Sequence, residues 1–397
     1  MNKHNSVPNI RFRNFKDEWT EKKISNFIIK NSDKNKNLVI KNIESISNKT
    51  GFTKQSEQFD GYRVASQDIS NYYVISPNQF AYNPSRINVG SIAYKNKGED
   101  KSIISPLYIS FSTSSHLNDH FLWFWFKTTS FKKQRIQFSE GGVRDTLPFE
   151  NLKKMEISFP LLQEQQKIGD LFSKLDKLLD VQQQKIDKLE LLKKALLQKL
   201  FPKYSAKIPE LRFKGFEDDW KSYLLGKIAV FINGRAFKQN ELLDKGKYPV
   251  LRVGNFYTND KWFYSDLELP EKLYANKGDL LYTWSATFGP HIWIGDKVIY
   301  HYHIWKIIFS SEVSKQFALQ MLLNDKEELM NNTNGSTMIH LTKNEMEKKL
   351  VKIPIKPEQQ KIGNLLSKVD ALIELENKKL QNFQQVKKCL LQNMFVE

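Results

Sequence analysis

The chain has 397 residues, 40% of them hydrophobic and 13% aromatic, which is ample for globular folding and too long for one ordinary hydrophobic core. Its formal net charge of +17 favours a polyanionic partner such as nucleic acid, with a solvated lysine-rich surface as the alternative. Because Cys389 is the one cysteine, an intrachain disulfide and a cysteine zinc cluster are excluded. No apolar signal core opens the chain and no apolar run reaches membrane-spanning length, so we expect a cytoplasmic protein without membrane contact.

The start of the chain recurs in its second half. PNIRFRNFKDEW at Pro8–Trp19 matches PELRFKGFEDDW at Pro209–Trp220, an offset of 201 residues. The segments that follow, roughly residues 26–150 and 227–344, share little sequence. A duplicated start followed by a divergent segment indicates two related globules with different surfaces.

The globules have the composition of mixed α and β structure. Lys297–Phe309 and Gly278–Trp284 are rich in strand-forming residues, whereas Ser314–Met330 has helical spacing. Residues 1–160 hold 24 Lys and Arg against 15 Asp and Glu, and residues 203–356 hold 23 against 18. The positive charge therefore lies mainly on the globules, which are the better candidates for contact with a polyanion.

A second repeat follows each globule. The hexapeptide EQQKIG occurs at Glu164–Gly169 and at Glu358–Gly363, and a gapless alignment of Pro160–Pro202 with Pro354–Val396 has 19 identities in 43 positions. Both tails carry apolar residues at alternating spacings of three and four, as in a coiled-coil seam. The predicted seam positions are Ile168, Leu171, Leu175, Leu178, Leu189, Leu192 and Leu196, then Ile362, Leu365, Val369, Leu372, Phe383, Val386 and Leu390.

The sequence therefore predicts an α+β protein with two pseudo-symmetric globules separated by a long antiparallel two-helix coiled coil. A helix of some 40 residues would span roughly 60 Å and has no core of its own, so pairing the two is the simplest packing. The predicted boundaries are residues 1–160 for the first globule, 161–202 for the central helix, 203–356 for the second globule and 357–397 for the C-terminal helix.

The motifs of nucleotide and methyl-transfer enzymes are missing from the sequence. It contains neither a G-x-x-x-x-G-K-[ST] phosphate loop nor G-x-G-x-x-G, and NPSR at Asn83–Arg86 lacks the second proline and the aromatic residue of an amino-methyltransferase motif. His301 and His303, predicted on one face of a strand with His291 nearby, have no carboxylate or cysteine to complete a metal set. We predict no catalytic residue and no metal site in this chain.

Polar and basic residues in the globules suit DNA binding. Arginine and asparagine read base edges, while lysine, serine, threonine and backbone amides hold phosphates. For each residue the alternative is a solvated charge or a turn glycine. The candidate DNA contacts are Arg63, Arg86, Lys95, Arg135, Gly141, Arg144, Arg235, Lys238, Arg252, Asn255, Trp284, Ser285, Thr287, His301, His303, Ser336 and Thr337.

The duplicated arrangement resembles the specificity subunit of bacterial type I restriction–modification systems. The resemblance covers nearly the whole chain and is carried by FPLLQEQQKIG and IPIKPEQQKIG, by the paired RF-x-x-F-x-x-x-W starts, and by GDLLYTW and GSTMIHLTKNEMEKKLVKIPI in the second globule. It implies a non-catalytic bacterial DNA-binding subunit. Each globule would be a target recognition domain for one half of a bipartite site, and the helices would set the spacer.

The same resemblance implies partners and cofactors. Two methyltransferase subunits and restriction/translocase subunits would assemble on this chain at double-stranded DNA, and they would use S-adenosylmethionine, ATP and Mg²⁺, with no cofactor bound by this chain. The candidate partner-docking residues are Gln165, Gln166, Lys167, Ile168, Gln359, Gln360, Lys361 and Ile362. The alternative for these residues is a helix start that packs on its own globule.

Two other functions are open on the sequence. A self-contained restriction–modification enzyme would require the catalytic motifs that the sequence lacks. A coiled-coil interaction protein without DNA binding is disfavoured by the positive charge of the globules.

Overall fold

The computed structural model describes residues 7–48, 50–58, 66–141, 145–203, 205–257, 259–285, 287–332 and 341–396. The chain divides into two compact units, unit 1 with residues 1–183 and 379–397, and unit 2 with residues 184–378. Each unit contains one globule and a part of each of two long helices. Among the described residues, no helix is both long and apolar enough to cross a membrane.

Unit 1 contains two four-stranded sheets and a two-stranded ribbon. The strands are β1 (Thr20–Lys23), β2 (Ile28–Lys30), β3 (Ile43–Ser47), β4 (Gly51–Lys54), β5 (Tyr73–Ile75), β6 (Gln79–Tyr82), β7 (Ile92–Tyr94), β8 (Ser102–Ile104), β9 (Ile109–Thr113) and β10 (Glu156–Phe159). The helices are α1 (Gln55–Gln58), α2 (Asp119–Trp125), α3 (Thr129–Phe138), α4 (Phe149–Leu152), the first part of α5 (Leu162–Leu200) and the last part of α9 (Lys356–Asn393). The sheet orders are β2-β9-β6-β7 and β4-β3-β8-β5, and the ribbon pairs β1 with β10.

Unit 2 repeats this architecture. Its strands are β11 (Lys221–Leu224), β12 (Ala229–Asn233), β13 (Tyr248–Leu251), β14 (Phe263–Ser265), β15 (Tyr274–Ala275), β16 (Leu280–Thr283), β17 (Gly289–Ile292), β18 (Val298–Tyr300), β19 (Ile304–Phe309) and β20 (Leu350–Ile353). Its helices are the last part of α5, α6 (Leu225–Ile228), α7 (Lys315–Asn332), α8 (Lys343–Lys348) and the first part of α9 (Lys356–Asn393). The sheet orders are β12-β19-β16-β17 and β14-β13-β18-β15, and the ribbon pairs β11 with β20.

The two globules share one topology despite their divergent sequences. In each, a single parallel pair, β3 with β8 or β13 with β18, lies in an otherwise antiparallel sheet. The ribbons match residue for residue, since Thr20 pairs with Phe159 and Lys221 with Ile353. The predicted mixed α and β fold is confirmed, because both globules contain the same arrangement of sheets and helices.

One local prediction was wrong. The strand-like stretch Lys297–Phe309 is two strands, β18 and β19, which belong to different sheets. The chain turns at residues 301–303 between them. His301 and His303 therefore do not share a strand face, because they lie in the turn.

A matched aromatic cluster holds each globule to its helices. In unit 1, Trp19 packs edge-on against Phe121 and Phe395, with ring centroids 5.8 and 6.5 Å apart. The corresponding cluster of unit 2 is Trp220 with Phe317 at 5.9 Å and with Phe201 at 6.1 Å. Phe201 is followed directly by the rest of unit 2, whereas Phe395 lies at the C-terminal end of the chain. In unit 1 the cluster therefore joins residues 19 and 395, which are far apart in sequence. In unit 2 the corresponding residues, 201 and 220, belong to one continuous segment.

The long helices have a regular heptad pattern of burial that differs from the prediction. Leu178, Leu192, Leu372 and Val386, which were predicted in the seam, are exposed, so this part of the seam prediction was wrong. One series of less exposed positions repeats along each helix at spacings of four and three, as a heptad requires. The series is 168, 172, 175, 179, 182, 186, 189, 193, 196 and 200 in α5, and 362, 366, 369, 373, 376, 380, 383, 387, 390 and 394 in α9.

Ion pairs join the two helices at matched levels. In unit 1, Asp176 of α5 accepts from Lys387 of α9, and Phe172 packs near Phe395, with ring centroids 6.0 Å apart. The earlier residue of α5 contacts the later residue in sequence, and the later residue of α5 contacts the earlier one. The two helices are therefore antiparallel within unit 1. In unit 2, the carboxylate of Asp370 lies 2.5 Å from the ammonium of Lys193.

A buried carboxylate opens each long helix and is held by an arginine from the repeated start. Arg11 donates to both carboxylate oxygens of Glu164, at 2.7 and 2.7 Å. Arg212 does the same to Glu358, at 2.8 and 2.9 Å. Both glutamates are buried. Bidentate arginine–carboxylate pairs are among the strongest side-chain hydrogen bonds, so these two repeated motifs hold each other.

The remaining buried residues of EQQKIG also act inside their own unit. The amide of Gln165 accepts from the backbone N–H of Asn118, at 2.9 Å, and donates to the carbonyls of His116 and Pro160. A Cβ on Gly169 would lie 2.7 Å from the Cβ of His120, so only glycine permits this close approach of α2 to α5. Gln359 and Gly363 make the corresponding contacts in unit 2.

We predict that Arg212→Met destabilises unit 2 by about 2 to 3 kcal/mol, because it leaves the Glu358 carboxylate buried and unpaired. The double variant Arg212→Met/Glu358→Met should cost less than the sum of the two single variants. Urea unfolding of the full chain, followed by tryptophan fluorescence, measures both effects. Glu210→Gln, which breaks an exposed pair with Lys199, is the control and should leave the unfolding midpoint nearly unchanged. Strict additivity of the Arg212 and Glu358 variants would contradict a stabilising contact between these two side chains.

Candidate nucleic-acid interface

One end of a four-stranded sheet carries Trp284, His301 and His303 in unit 2, and the equivalent sheet end in unit 1 carries Arg86. In unit 1, β6 ends at Tyr82 opposite Ile109, the first residue of β9. In unit 2, β16 ends at Thr283 opposite Ile304, the first residue of β19. The loop after one strand therefore lies beside the turn before the other. This end of the sheet is the candidate interface.

The structure brings Trp284, His301 and His303 together at this end of unit 2. The ring centroid of His303 lies 5.0 Å from that of Trp284 and 5.1 Å from that of His301. The backbone of Arg235 joins them, because its N–H donates to the carbonyl of Tyr300 at 3.0 Å. Four residues from three separate segments of the chain thus lie together.

Aromatic rings continue from this surface into the core. Trp284 stacks on buried Trp305, with centroids 5.8 Å apart, and Trp305 stacks on buried Tyr282 at 5.9 Å. On the outer side, Tyr302 lies against His303 at 3.9 Å and His301 at 4.4 Å. Stacked rings with few rotatable bonds form a rigid support for the exposed end of this series.

Backbone hydrogen bonds fix the turn at residues 301–303. The N–H of Tyr302 donates to the carbonyl of Arg235 at 3.0 Å, and the indole N–H of Trp284 donates to the carbonyl of Tyr302 at 3.0 Å. A Cβ on Gly234 would lie 2.3 Å from the carbonyl oxygens of Tyr300 and His301. Glycine is therefore required at residue 234 for the chain to approach the turn this closely.

Burial keeps two histidines of unit 2 neutral. Burial lowers the pKa of His301 to about 4, with His303 and Arg252 adding to the shift. Burial also lowers the pKa of His291 to about 4, with Lys326 contributing. Neutral imidazole offers one donor and one acceptor rather than two donors, so His301 can contact bases without carrying a charge.

The other candidates of unit 2 are dispersed around this surface. Arg252 lies over the ring of Phe263, 4.3 Å from its centroid. The amide of Asn255 accepts from the N–H of Arg252 and donates to the carbonyls of Asn259 and Lys261, so the loop itself occupies it. Lys238 and Thr287 are exposed and Ser285 is half-buried; Ser336 and Thr337 lie outside the described residues.

The candidates of unit 1 are less concentrated. Arg86 is exposed in the loop after β6, and Gly141 is exposed with a φ of 100°. Arg135 is largely buried, 3.8 Å from Asp145. Lys95 is 1% exposed and donates to Glu44 at 2.7 Å, so its ammonium is not available to DNA and we leave it out of the interface. Arg63 and Arg144 lie outside the described residues.

The candidate docking residues divide by burial. Gln165, Ile168, Gln359 and Ile362 are buried in their own units, as in the alternative of a helix start that packs on its globule. The exposed candidates are Gln166, Lys167, Gln360 and Lys361. Lys167 lies over the ring of Phe15 at 5.1 Å, and Lys361 lies over that of Phe216 at 4.9 Å.

Sequence reasoning missed Tyr302 and Phe237. Phe237 lies nearly parallel to His301, with ring centroids 6.5 Å apart, and the guanidinium of Arg235 lies over Phe237 at 5.4 Å. Both aromatics lie next to predicted DNA contacts in the sequence. For Tyr302, its place between two histidines and between two strand-like stretches could have indicated an exposed turn.

Comparison with known proteins identifies the family. The family model for the type I restriction modification DNA specificity domain matches residues 16–191 and again residues 217–385. The chain belongs to this family. The prediction of a type I specificity subunit, made from the duplicated motifs, is thereby confirmed, and each unit contains most of one specificity domain.

Relatives of this specificity subunit span most of the chain. It is 26% identical over 329 residues to the type I restriction enzyme MjaVIII specificity subunit of Methanocaldococcus jannaschii, covering 77% of this chain and 75% of the relative. It is 25% identical over 377 residues to the putative MjaX specificity subunit of the same organism, covering 89% and 85%.

Solved structures share the fold of the specificity subunit. The S subunit of a type I restriction–modification system from M. genitalium matches with a TM-score of 0.62, 16% identity, and coverage of 98% of this chain and 99% of that one. A chain from a study of complex assembly and conformational transition of the type I system matches with a TM-score of 0.56, 15% identity, and coverage of 94% and 96%. The predicted fold, with two related α+β globules and long antiparallel helices, is confirmed.

We predict that unit 2 of the specificity subunit loses stability as the pH falls from 7.5 to 5. An unfolded histidine has a pKa near 6.5, above the value of about 4 in the fold, so stability is complete above about pH 6.5 and is lost toward pH 4. Between pH 7.5 and pH 5, the free energy of unfolding should fall by about 1 to 2 kcal/mol less in His291→Gln than in the wild type. Urea unfolding at both pH values measures this difference. An unchanged pH dependence in the variant would contradict the assignment.

Proposed function

We propose that this specificity subunit reads a bipartite DNA site, with one globule for each half-site. The observation that carries the proposal is the contrast within the duplication. The arginine–glutamate pair at the start of each long helix is repeated with identical residues, and the helix segments share 19 of 43 positions, whereas the exposed sheet ends carry different side chains. Duplicated architecture suits two equivalent tasks, and different surfaces suit two different base sequences.

Charge supports DNA as the target of these surfaces. The positive excess lies on the globules, and Arg86, Arg235 and Lys238 are at or near the candidate sheet ends. Contacts of such residues with phosphates release counterions, so binding should weaken steeply as salt is raised. Base contacts would come from the loops and turns at the same ends.

Partners of this chain would supply the chemistry. Under this proposal two methyltransferase subunits dock on the duplicated helices and methylate adenine with S-adenosylmethionine, and restriction/translocase subunits use ATP and Mg²⁺. The matched exposed residues support docking on the helices. Leu178 and Val181 in unit 1 correspond to Leu372 and Leu375 in unit 2, and all four are exposed apolar side chains beside the seam.

A base-resolved map of adenine methylation, with and without the gene, tests this function. We expect methylation at one two-part motif with a fixed gap to disappear when the gene is deleted. Replacing residues 26–150 with the segment of another family member should then change one half-site and leave the other intact. Methylation that does not change on deletion, in cells where the partner subunits are expressed, would contradict the proposal.

The helices are proposed to set the gap between the half-sites. Inserting one heptad after Gln183 in α5 and another after Asn377 in α9 adds about 10 Å of helix, or about three base pairs of DNA. We expect the methylated motif to gain about three base pairs in its gap, with both half-sites unchanged. Insertions of four residues at the same positions break the heptad and serve as the control. A change in the half-sites would contradict this division of labour.

Methyltransferase docking can be tested in one unit at a time. Leu178→Lys/Val181→Lys should remove the subunit bound to unit 1, because charged side chains would have to be buried in an apolar contact. Leu372→Lys/Leu375→Lys should do the same in unit 2. Native mass spectrometry of the purified complex should show two methyltransferase subunits per wild-type chain and one per variant chain. Two subunits retained by both variants would contradict docking at these positions.

A further inference from the structure

The same turn in both globules exposes a large apolar side chain. In unit 1 the turn joins β8 to β9 at residues 105–108, and in unit 2 it joins β18 to β19 at residues 301–303. Leu107 is 76% exposed and Tyr302 is 39% exposed. The sequences SPLY and HYH at these turns differ in length and share only a tyrosine, which is exposed in unit 2 and half-buried in unit 1, so the shared feature is the exposed apolar tip itself.

The tip of unit 2 is rigidly mounted. The backbone of Tyr302 is bonded in both directions, to the carbonyl of Arg235 and to the indole N–H of Trp284. Its ring rests between His301 and His303, and the stacked Trp284 and Trp305 lie behind them. A ring held in this way loses little conformational freedom when it contacts a ligand.

The tip of unit 1 is also held by its neighbours. Ser105 accepts from the N–H of Leu107 at 3.3 Å through its hydroxyl, and from the N–H of Tyr108 at 3.0 Å through its carbonyl. Tyr108 accepts from the N–H of Ile46 through its own hydroxyl at 3.4 Å. Pro106 precedes Leu107 and restricts the backbone further. The leucine therefore projects from a constrained turn.

The position of both tips favours DNA as the occupant. Each turn lies beside the loop that follows β6 or β16, the loops that carry Arg86 and Trp284. In unit 2, the guanidinium of Arg235 lies over Phe237 next to His301 and is paired with Glu241 at 2.6 Å. An exposed apolar tip beside loops that carry arginine matches a groove with a phosphate backbone at its edges and base faces within.

We propose that Leu107 and Tyr302 are wedges, each of which inserts into a base step of the half-site read by its own globule. This inference rests on the proposed function. It adds a physical mode of recognition, because wedge insertion unstacks the step and its cost depends on which bases form that step. A tyrosine stacks on a base face, whereas a leucine only separates the bases, so the two globules would prefer different steps.

The test uses the full-length chain with the methyltransferase subunits that co-purify with it. Duplexes carry the methylated motif, with 2-aminopurine placed at successive steps of one half-site at a time. We expect wild-type complex to raise 2-aminopurine fluorescence at one step in each half-site. Tyr302→Ala should abolish the rise in the half-site of unit 2 and weaken binding by about 5- to 150-fold. Leu107→Ala should abolish the rise in the half-site of unit 1 alone.

Controls separate the wedge from folding and from partner docking. Tyr302→Phe keeps the ring and should keep both the fluorescence and the affinity. Thermal unfolding of each variant should match the wild type, since both side chains are exposed.

The proposal is overturned if the wild type binds the bipartite motif tightly without any rise in 2-aminopurine fluorescence, or if the alanine variants weaken binding to motif DNA and to random DNA equally. Loss of methyltransferase subunits with DNA affinity unchanged would also overturn it. Failure of the wild type to prefer the motif would overturn the proposed function as well.

Discussion

The bidentate contact between an arginine of the repeated start and the first glutamate of each long helix is the constraint on which the rest of each unit depends. Burying a carboxylate is unfavourable unless it is fully bonded, so the helix can begin at this place only when the start segment is also in place. That segment leads directly into the first strand of the ribbon, whose partner strand leads directly into the helix. The globule is thereby closed at its base by two elements far apart in sequence.

This closure accounts for four of the six residues of the duplicated hexapeptide. Its glutamate accepts from the arginine, its first glutamine bonds the segment before a globule helix, its isoleucine is buried and its glycine permits close packing. These four residues make corresponding contacts in unit 2. In unit 1 the contact is completed by the end of the chain, where Ile10 donates to the carbonyl of Asn393, as Leu211 donates to that of Lys199 in unit 2.

A rigid base leaves the opposite side of the globule free to vary. Strand order, the parallel pair in one sheet and the register of the ribbon are the same in both units, but the turns and loops at the candidate sheet end are not. Where unit 1 has a proline and a leucine, unit 2 has a tyrosine and two histidines on a stack of aromatic rings. The strand order can persist although residues 26–150 and 227–344 share little sequence, and the side chains at the candidate sheet end differ between the two globules.

The helices show the same separation between what packs and what is exposed. The heptad of buried positions accommodates Gln182, Lys193 and Glu376 beside its apolar members, and Lys185 pairs with Glu376 at 3.0 Å. Several leucines and valines that could have served in the seam are instead exposed at matched positions. Retaining apolar side chains in water at equivalent places in both helices is consistent with a second contact along the helix pair.

The sequence by itself determined the duplication, the two long helices, the mixed globules and the family. The repeats could be recognised because residues are identical where both partners of a contact are duplicated. The long helices could be recognised because helical periodicity is a local property of the sequence. Only the tertiary structure decided which side chains are accessible, since burial depends on residues far away in the chain. Lys95 is buried because Glu44, 51 residues earlier, reaches its ammonium. The seam lies one position from the predicted one at Leu171 and Leu178 because packing selects among adjacent apolar residues. The turn that presents Tyr302 exists because β18 and β19 belong to different sheets, which no local pattern records.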